Sequence, residues 1–414
     1  MKAYLILEDG TIFEGIHIGS DREVISEIVF NTSMAGYTEV LTDPSYAGQA
    51  VCMTYPLIGN YGICTEDLES SRPWLDGLIV RELSRMPSNF RSDLSIQDFL
   101  LQYDIPGIAG IDTRALVKIL RERGTMNGMI TTRQGFDVDE ILPRLKEYTT
   151  GEVVKKVTCS EKYSLKGVKD LGENAPISGS AVYTGERESA PSMVKELNGT
   201  GLKIALLDFG EKRNIERSLV ARGCDVTVYP ATTPASEILA EHPDGIMLSN
   251  GPGDPKDCGS IIDEIRKIYE SDVPVFAICL GHQLMALATG ANTYKMKYGH
   301  RGGNHPVKDL ETGRVYISSQ NHGYVVDTDK LDPAVAVPAF INVNDGTNEG
   351  LSYTGKNIFT VQFHPEACPG PQDSGYLFDR FIRMMKGVED KAVDDHAGMQ
   401  GGKATADHAG KEGE

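Results

Sequence analysis

Length, composition and charge limit what this 414-residue chain can be before any motif is considered. A chain of this length is expected to form about two or three domains, each with its own core. The formal net charge of -18 argues against nucleic acid as a partner, because a phosphate-binding surface needs clustered Lys and Arg. No stretch approaches the ~20 apolar residues of a membrane span, and the seven cysteines are scattered without close pairs. We therefore expect a cytoplasmic protein with free thiols that binds neither nucleic acid nor membrane.

Residues 1–150 carry the pattern of a mixed α/β domain, in which short strands precede two helices. Asp9 and Gly10 join the first two strands in the way a tight hairpin turn does. Ser95 and Asp112 each stand directly before a helical pattern, as N-cap residues do. The spacing of polar residues in this domain points to no catalytic group of its own. The predicted strands lie at 3–7, 12–17, 24–30, 50–55 and 78–82, and the predicted helices lie at 96–103 and 113–123.

Two later regions lack the regular pattern of a folded domain. Residues 151–201 are interrupted by Gly, Ser, Asn and Pro and are predicted to form a linker, with a partly disordered insertion at 172–192. Residues 388–414 contain no Ile, Leu, Phe, Tyr or Trp and are predicted to form a disordered tail, because so polar a segment cannot bury a core. An acidic segment that binds a partner is the alternative for this tail.

Residues 202–387 form the second predicted domain, in which short apolar strands alternate with helices. Such alternation predicts a mostly parallel sheet covered on both faces, with the active site beyond the carboxyl ends of the strands. The later strands are shorter and are predicted to be partly antiparallel, before a closing helix. The predicted strands are 203–207, 225–228, 245–248, 273–278, 315–318, 323–326, 340–343 and 359–363, and the predicted helices are 212–222, 235–242, 261–270, one that opens at Gly281, and 378–385.

Cys279 stands where a buried strand meets a helix. Ala277 and Gly281, two residues before and after it, have the small side chains that a nucleophile elbow needs, because the sharp turn crowds both positions. The helix that follows aims free N–H groups and the positive end of its dipole at the sulfur, which favours the thiolate. The alternative is a buried cysteine that acts only as a small core residue.

Two further stretches supply partners for such a nucleophile. In FHPE, His364 and Glu366 end an apolar strand and share one face, where the carboxylate can hold the imidazole as a general base. In SNGPGDP, Gly251 and Gly253 let the backbone approach a substrate, as an oxyanion hole requires, and the N–H of Leu280 is the second expected donor. Considered alone, FHPE is typical of a solvated strand end, and SNGPGDP is typical of a tight turn.

Together these motifs resemble a known family. Class I glutamine amidotransferases carry motifs similar to ICLGHQL, GPGDP and FHPE, and the resemblance covers residues 202–387. The N-terminal domain of the small, glutamine-hydrolysing subunit of carbamoyl phosphate synthase has stretches similar to FNTSMAGYTEVLTDPSYAGQ, TYPLIGNYG and GIAGIDTRALVKILRERG. The combined resemblance extends over nearly the whole chain. It implies an α/β fold with an N-terminal mixed domain and a C-terminal amidotransferase domain that contains the elbow.

The resemblance also implies a glutaminase with a Cys279, His364 and Glu366 triad. The residues that it implies for binding glutamine are Ser45, Gly251, Gly253, Leu280, Gln283, Asn321, Gly323 and Tyr324. Phe is common in the family at the position of Tyr324, so the stretch NHGY departs modestly from the pattern while keeping an aromatic ring. The implied partner is the carbamoyl phosphate synthase large subunit, in a heterodimer. Ammonia is expected to pass to that subunit, where ATP and Mg²⁺ act on bicarbonate.

No cofactor or metal is expected in this chain. The phosphate-binding pattern GxxxxGK[ST] is absent from the sequence. Zinc is considered because Cys279, His282, His300 and His305 are near one another, but their spacing is not that of metal ligands. Two other hypotheses stay open: the glutaminase component of another synthase, such as those that make anthranilate or GMP, and a catalytically silent regulatory subunit. The N-terminal stretches argue against the first, and the intact triad residues argue against the second.

Overall fold

The computed structural model describes residues 1–167, 170, 201–367 and 369–388, which form two β-sheet bodies that contact each other. Both bodies combine strands with helices, which confirms the predicted α/β fold class. The predicted insertion at 172–192 lies outside the described residues, as does the predicted tail apart from Val388. In the part of the chain that the structure describes, no helix has both the length and the apolar character needed to cross a membrane.

The N-terminal body is a closed barrel accompanied by a small parallel ribbon. Its strands are β1 (Lys2–Leu7), β2 (Ile12–Gly19), β3 (Val24–Asn31), β4 (Gln49–Met53), β5 (Leu57–Ile58), β6 (Gly77–Val80), β7 (Glu82–Leu83), β8 (Pro106–Ala109) and β9 (Met126–Thr131). The barrel order is β1-β2-β8-β6-β4-β3-β9, while β5 pairs with β7 in the ribbon. Apolar residues at alternate strand positions, such as Ala3, Leu5 and Leu7, face one shared core, as the period of two predicts.

Four helices belong to this body: α1 (Tyr37–Thr42), α2 (Ile96–Gln102), α3 (Thr113–Arg123) and α4 (Val138–Glu147). The side chains of Ser95 and Asp112 accept the N–H groups of Asp98 and Ala115, so both predicted N-caps are confirmed. Helices α1 and α4 were not predicted. Helix α1 follows a glycine in the left-handed conformation and has no side-chain cap, whereas α4 is capped by Asp137 but contains Pro143, a residue that rarely occurs inside a helix.

The C-terminal body is built on one mixed sheet. Its strands are β10 (Tyr163–Lys166), β11 (Lys203–Asp208), β12 (Asp225–Pro230), β13 (Gly245–Leu248), β14 (Val275–Ile278), β15 (Thr293–Asp309), β16 (Val315–Val326), β17 (Ala336–Asn342), β18 (Asn348–Tyr353) and β19 (Ile358–Val361). The order is β10-β12-β11-β13-β14-β19-β18-β17-β15-β16, and the five strands from β12 to β19 are parallel. The carboxyl ends of β14 and β19 therefore lie side by side.

Helices cover both faces of the parallel strands. They are α6 (Arg213–Ala221), α7 (Ala235–Ala240), α8 (Gly259–Glu270), α9 (Leu280–Ala288) and α10 (Tyr376–Met385), and a short α5 (Val154–Val157) precedes β10. The side chains of β14 alternate between the two cores: Val275 and Ala277 pack with α8 and α9, whereas Phe276 and Ile278 pack with α6 and α10. Burial of a large apolar side chain contributes about 1.5–3 kcal/mol, so the apolar run that marks β14 also anchors the strand before Cys279.

Several segments differ from the sequence-based expectation, and three of them belong to the C-terminal sheet. Residues 163–166, within the predicted linker, form an edge strand that pairs antiparallel with β12. Strand β15 was not predicted, because its many Lys, His and Gly residues hide any apolar alternation. The strands predicted at 315–318 and 323–326 are one continuous strand, β16, which pairs with β15 through two register shifts.

Candidate active site

Cys279 occupies a sharp turn between β14 and α9. Its backbone angles are φ 51° and ψ −103°, a conformation that residues with a side chain rarely adopt. The turn leaves no space two residues later, because a Cβ atom on Gly281 would lie 2.6 Å from the carbonyl oxygen of Leu248. This strand, turn and helix form the nucleophile elbow that the sequence predicts.

The thiol of Cys279 lies in a buried and negatively charged environment. It contacts the backbone carbonyl of Asn321, with Sγ and O 3.8 Å apart, and the N–H of Leu280 donates to the sulfur. Burial and the charges of Asp43 and Glu366 raise the pKa of the Cys279 thiol, and they outweigh the groups that lower it. The N–H of Leu280, the first residue of α9, lowers the pKa of the thiol as expected of the helix, but its effect is smaller than those of burial and the two carboxylates. A base has to take the proton.

His364 follows β19 and so lies at the same edge of the sheet as Cys279. Strand β19 ends at Val361 instead of continuing to Glu366 as expected, and a turn brings the two side chains together. Nδ1 of His364 lies 2.6 Å from Oε1 of Glu366. The other ring nitrogen, Nε2, is buried and makes no hydrogen bond to any described residue, including Cys279. The histidine is thus held by the carboxylate, with one nitrogen available for proton transfer.

Lys212 is a site residue that the sequence analysis missed. Its Nζ lies 2.7 Å from Oε1 of Glu366, and both side chains are buried. Burial raises the pKa of Glu366, but the charges and hydrogen bonds of Lys212 and His364 outweigh burial and lower it to about 2. Glu366 is consequently ionised at neutral pH. The available signal was a lysine shortly after β11, at the edge of the sheet where active sites form.

The barrel domain contributes groups to the same site through the short turn at Pro44–Tyr46. Nδ2 of Asn250 donates to Oγ of Ser45 at 2.9 Å. Nδ2 of Asn321 donates to Oδ2 of Asp43, also at 2.9 Å, and Asp43 accepts the N–H of Ser45 as well. All of these groups are buried, so hydrogen bonds join the two domains directly beside the nucleophile. Neither Asp43 nor Asn250 was predicted to belong to the site.

A cavity of about 530 Å³ opens beside Cys279, between the two domains. Seven of the eight residues that the family resemblance implies for glutamine lie in its wall: Ser45, Gly251, Gly253, Gln283, Asn321, Gly323 and Tyr324. The eighth, Leu280, has a buried side chain and presents its N–H to the sulfur. His364 and Glu366 do not line the cavity, and both are buried. The volume falls in the range of small-molecule pockets.

Gln283 and Tyr324 are held by other residues of the protein. Nε2 of Gln283 donates to the carbonyl of Tyr324 at 2.8 Å and to Oε1 of Gln362 at 2.9 Å. The phenol of Tyr324 donates to the carboxylate of Asp254, in the glycine loop. The hydroxyl that distinguishes Tyr from the more common Phe therefore joins strand β16 to that loop.

The structure groups different residues from those considered for zinc. Among the described residues, the group that could hold a metal ion is His300, His322 and Glu349, whose ligand atoms lie within 4.8 Å of one another. Of the residues considered, only His300 belongs to it, and His282 instead bonds Oγ1 of Thr360 through Nδ1 at 2.7 Å. The three members come from β15, β16 and β18, so no local spacing could reveal them.

The parallel sheet, the elbow and the histidine at the neighbouring strand end are those of a class I glutamine amidotransferase. Residues 205–384 match the family described as glutamine amidotransferase class-I. Residues 5–130 match a second family, described as carbamoyl-phosphate synthase small chain, CPSase domain. The two matches divide the chain between the barrel domain and the parallel-sheet domain.

Full-length relatives then identify the particular family. The chain is 48% identical to the carbamoyl phosphate synthase small chain of Clostridium perfringens, over 92% of this chain and 99% of that one. It is 49% identical to the small chain of Syntrophotalea carbinolica, over 93% and 98%, and 48% identical to that of Bacillus caldolyticus, over 96% and 100%. The chain belongs to the carbamoyl phosphate synthase small chain family, as its motifs predict.

Proposed function

We propose that this chain hydrolyses glutamine and delivers the ammonia to a large synthetase chain that makes carbamoyl phosphate. The observation that carries the proposal is the elbow cysteine, Cys279, in the wall of the cavity, with His364 after the neighbouring strand and held by an ionised Glu366. Similarity to carbamoyl phosphate synthase small chains across both domains supports the choice of partner reaction.

The first half of the proposed reaction forms a thioester. The thiol proton of Cys279 passes to Nε2 of His364 as Sγ bonds to the side-chain amide carbon of glutamine, whose oxygen takes the carbonyl electron pair. The N–H of Leu280 and backbone N–H groups of the glycine loop stabilise this oxyanion, at about 2.7–4 kcal/mol for a single donor. The C–N bond then breaks, and the nitrogen takes the proton from His364 and leaves as ammonia.

The second half of the proposed reaction restores the cysteine. His364 removes a proton from water as the water oxygen bonds to the thioester carbon. The bond from the carbon to Sγ then breaks, the sulfur recovers the proton from His364, and glutamate is released. In both halves the imidazolium carries a positive charge next to Glu366, which stays ionised because Lys212 lies beside it. The lysine thus has a defined part in the proposal: it keeps the carboxylate charged.

Glutamine binding is assigned to both domains. The proposed binding residues are Ser45, Gly251, Gly253, Leu280, Gln283, Asn321, Gly323 and Tyr324. We place ATP, Mg²⁺ and bicarbonate on the large chain, and the glutaminase reaction proposed for this chain uses no cofactor. Because Ser45 comes from the barrel domain and is bonded to Asn250, a movement between the domains would change the shape of the site.

Steady-state glutamate release tests the proposal. It is measured for the full chain alone and then with a carbamoyl phosphate synthase large chain, ATP and bicarbonate. We expect low activity alone and a rise of roughly tenfold or more with the partner, equivalent to about 1.4 kcal/mol of barrier. The glycine loop can realign at little steric cost when the partner binds. If the chain alone is fully active and the large chain does not change its activity, the assigned partner is wrong. A folded chain with no activity in either condition would indicate a catalytically silent subunit.

A further inference from the structure

A buried cluster of histidine and carboxylate side chains lies where strands of the C-terminal sheet meet. His300 is on β15, His322 on β16 and Glu349 on β18, and they are 6%, 5% and 0% exposed. Their ligand atoms lie within 4.8 Å of one another. Nδ1 of His300 and Oε1 of Glu349 are 3.5 Å apart. The reaction proposed above gives none of the three a role.

The outer nitrogen of each histidine is held by an acceptor. Nε2 of His300 donates to Oδ2 of Asp345 at 2.8 Å, and Nδ1 of His322 donates to the carbonyl of Tyr324 at 2.8 Å. A carboxylate or carbonyl on the far nitrogen is the arrangement that orients metal-binding histidines and fixes their tautomer. In the neutral rings, Nδ1 of His300 and Nε2 of His322 then carry the lone pairs that face into the cluster.

The side-chain amide of Gln320 brings two hydrogen-bond acceptors face to face in this cluster, with no hydrogen between them. Nε2 of Gln320 donates to Oε1 of Glu349 at 2.9 Å. Oε1 of Gln320 therefore faces Nε2 of His322, at 3.0 Å. Exchanging the oxygen and nitrogen of this amide does not remove the contact between two acceptors, because the oxygen of Gln320 then faces the carboxylate of Glu349. Oε2 of Glu349 is also buried and has no hydrogen-bond partner among the described residues. Nδ2 of Asn342 donates to Oε1 of Glu349 at 2.9 Å as well, so the contact that lacks a proton or a cation is the one between His322 and Gln320.

A proton on Nδ1 of His300 does not resolve that contact, because Nδ1 lies 3.5 Å from Oε1 of Glu349 and the facing atoms of His322 and Gln320 stay unmatched.

We propose that His300, His322 and Glu349 bind a divalent transition-metal ion, with Zn²⁺ as its probe. Two imidazole nitrogens and one carboxylate are a ligand set that zinc accepts. Bonds of about 2.1 Å in tetrahedral geometry place ligand atoms about 3.4 Å apart. Nδ1 of His300 and Oε1 of Glu349, which are 3.5 Å apart, already have this spacing. All three ligand atoms lie within 4.8 Å of one another, so any pair has to approach by at most about 1.4 Å. The oxygen of Gln320 faces the same space and can be a fourth ligand.

Such an ion would be structural and would fix β16. This strand carries Asn321, Gly323 and Tyr324, which line the cavity beside Cys279. His322 lies between Asn321 and Gly323, so a metal bond to it would fix this part of β16 and join the strand to β15 and β18. The ion would also replace the missing proton in the cluster. Because the ligands are buried, we expect it to bind while the chain folds.

The zinc content of the purified full chain tests the proposal. The protein is expressed with added Zn²⁺, passed through gel filtration and analysed by inductively coupled plasma mass spectrometry. We expect about one ion per wild-type chain, and at least tenfold less in Glu349→Gln and in His322→Gln. His242→Gln, which changes an exposed histidine outside the cluster, is expected to match the wild type. Folded wild-type protein that holds less than about a tenth of an ion per chain overturns the proposal.

A cobalt spectrum separates this site from binding by cysteine. Co²⁺ held by nitrogen and oxygen shows visible bands without the near-ultraviolet charge-transfer bands of thiolate ligands. Strong thiolate bands would place the ion at cysteines and contradict the assignment, as would Glu349→Gln protein that folds by circular dichroism and keeps its zinc. If neither variant folds, the wild-type zinc content and cobalt spectrum still decide between the two outcomes.

Discussion

Nζ of Lys212 lies 2.7 Å from Oε1 of Glu366, and the two side chains are 2% and 0% exposed. The lysine follows β11 and the carboxylate follows β19, strands that are separated in the sheet by β13 and β14. The ion pair therefore links segments that follow two separated strands of the catalytic edge, and Cys279 follows β14, which lies between those strands in the sheet. Removing one partner from a buried pair leaves an uncompensated charge and costs about 3–5 kcal/mol.

Lys212→Met is expected to destabilise the folded chain by about 3–5 kcal/mol. It also removes the cation that keeps the pKa of Glu366 low, so the carboxylate should hold His364 less firmly and glutaminase activity should fall. Chemical denaturation and glutamate release measure the two effects. Lys256→Met, at an exposed position, is the matched control and should change neither. Equal stability and activity in the two variants would contradict the role given to the ion pair.

Cys279→Ser is expected to keep the fold and to lower glutamine hydrolysis by about a thousandfold or more. An alkoxide is much harder to form than a thiolate, and the elbow is shaped around sulfur. Glutamate release at saturating glutamine, with circular dichroism to verify folding, is the measurement. Cys159→Ser changes a half-buried cysteine away from the elbow and should stay active. Substantial activity in Cys279→Ser would mean that another residue is the nucleophile.

The parts of the site that sequence predicts are local ones. The elbow depends on residues within two positions of Cys279, and the histidine and carboxylate of FHPE are two positions apart. Helix α3 was predicted with its observed bounds because Asp112 caps it and apolar residues repeat on one face. In each case the cause of the structure lies within a few residues of the feature.

The missed parts depend on contacts between distant segments. Asp43 and Asn321 are 278 positions apart and meet only when the barrel packs on the sheet. The pairing of Lys212 with Glu366 and the meeting of the histidines on β15 and β16 likewise require the assembled strand order. Long-range pairing of this kind leaves no periodic signal, so a sequence reader sees an ordinary lysine and scattered histidines.

Gly281→Ala tests how tightly the elbow is packed. The new Cβ would lie 2.6 Å from the carbonyl oxygen of Leu248, so backbone must move, at an expected cost of about 1–3 kcal/mol. Gly259→Ala is the control, because Gly259 is the first residue of α8 and an added Cβ meets no atom within 4 Å. Thermal unfolding should show a loss in the first variant and no loss in the second. Similar melting temperatures would argue against a tightly packed turn.

Asp43→Asn should make Cys279 easier to ionise. The Asp43 carboxylate is one of the negative charges that raise the pKa of the Cys279 thiol, so its removal favours thiolate. The rate of iodoacetamide modification at Cys279, followed by peptide mass spectrometry against pH, should rise at lower pH in the variant. Asp263→Asn, at an exposed position on α8 that does not line the cavity, should leave the profile unchanged. An unshifted profile for Asp43→Asn would show that Asp43 does not act on the thiol.

Glu69 gives the chain a stability that depends on pH. Its carboxyl is buried, with Oε2 3.2 Å from the backbone nitrogen of Asn214, and burial outweighs Lys212 and Arg217 to raise its pKa to about 8. In the unfolded chain a glutamate has a pKa of about 4.3. Between these values the folded state keeps a proton that the unfolded state has lost, so the free energy of unfolding falls as pH rises.

Glu69→Gln removes this dependence, because the amide cannot ionise and its oxygen can still accept the N–H of Asn214. We expect the melting temperature of the variant minus that of the wild type to increase from pH 5 to about pH 8 and to stay constant above that pH. Thermal unfolding at a series of pH values measures it. Glu140→Gln, at an exposed position, should run parallel to the wild type throughout. Parallel curves for Glu69→Gln would mean that Glu69 is already ionised in the folded chain at neutral pH, with Lys212 and Arg217 supplying enough positive charge to overcome its burial.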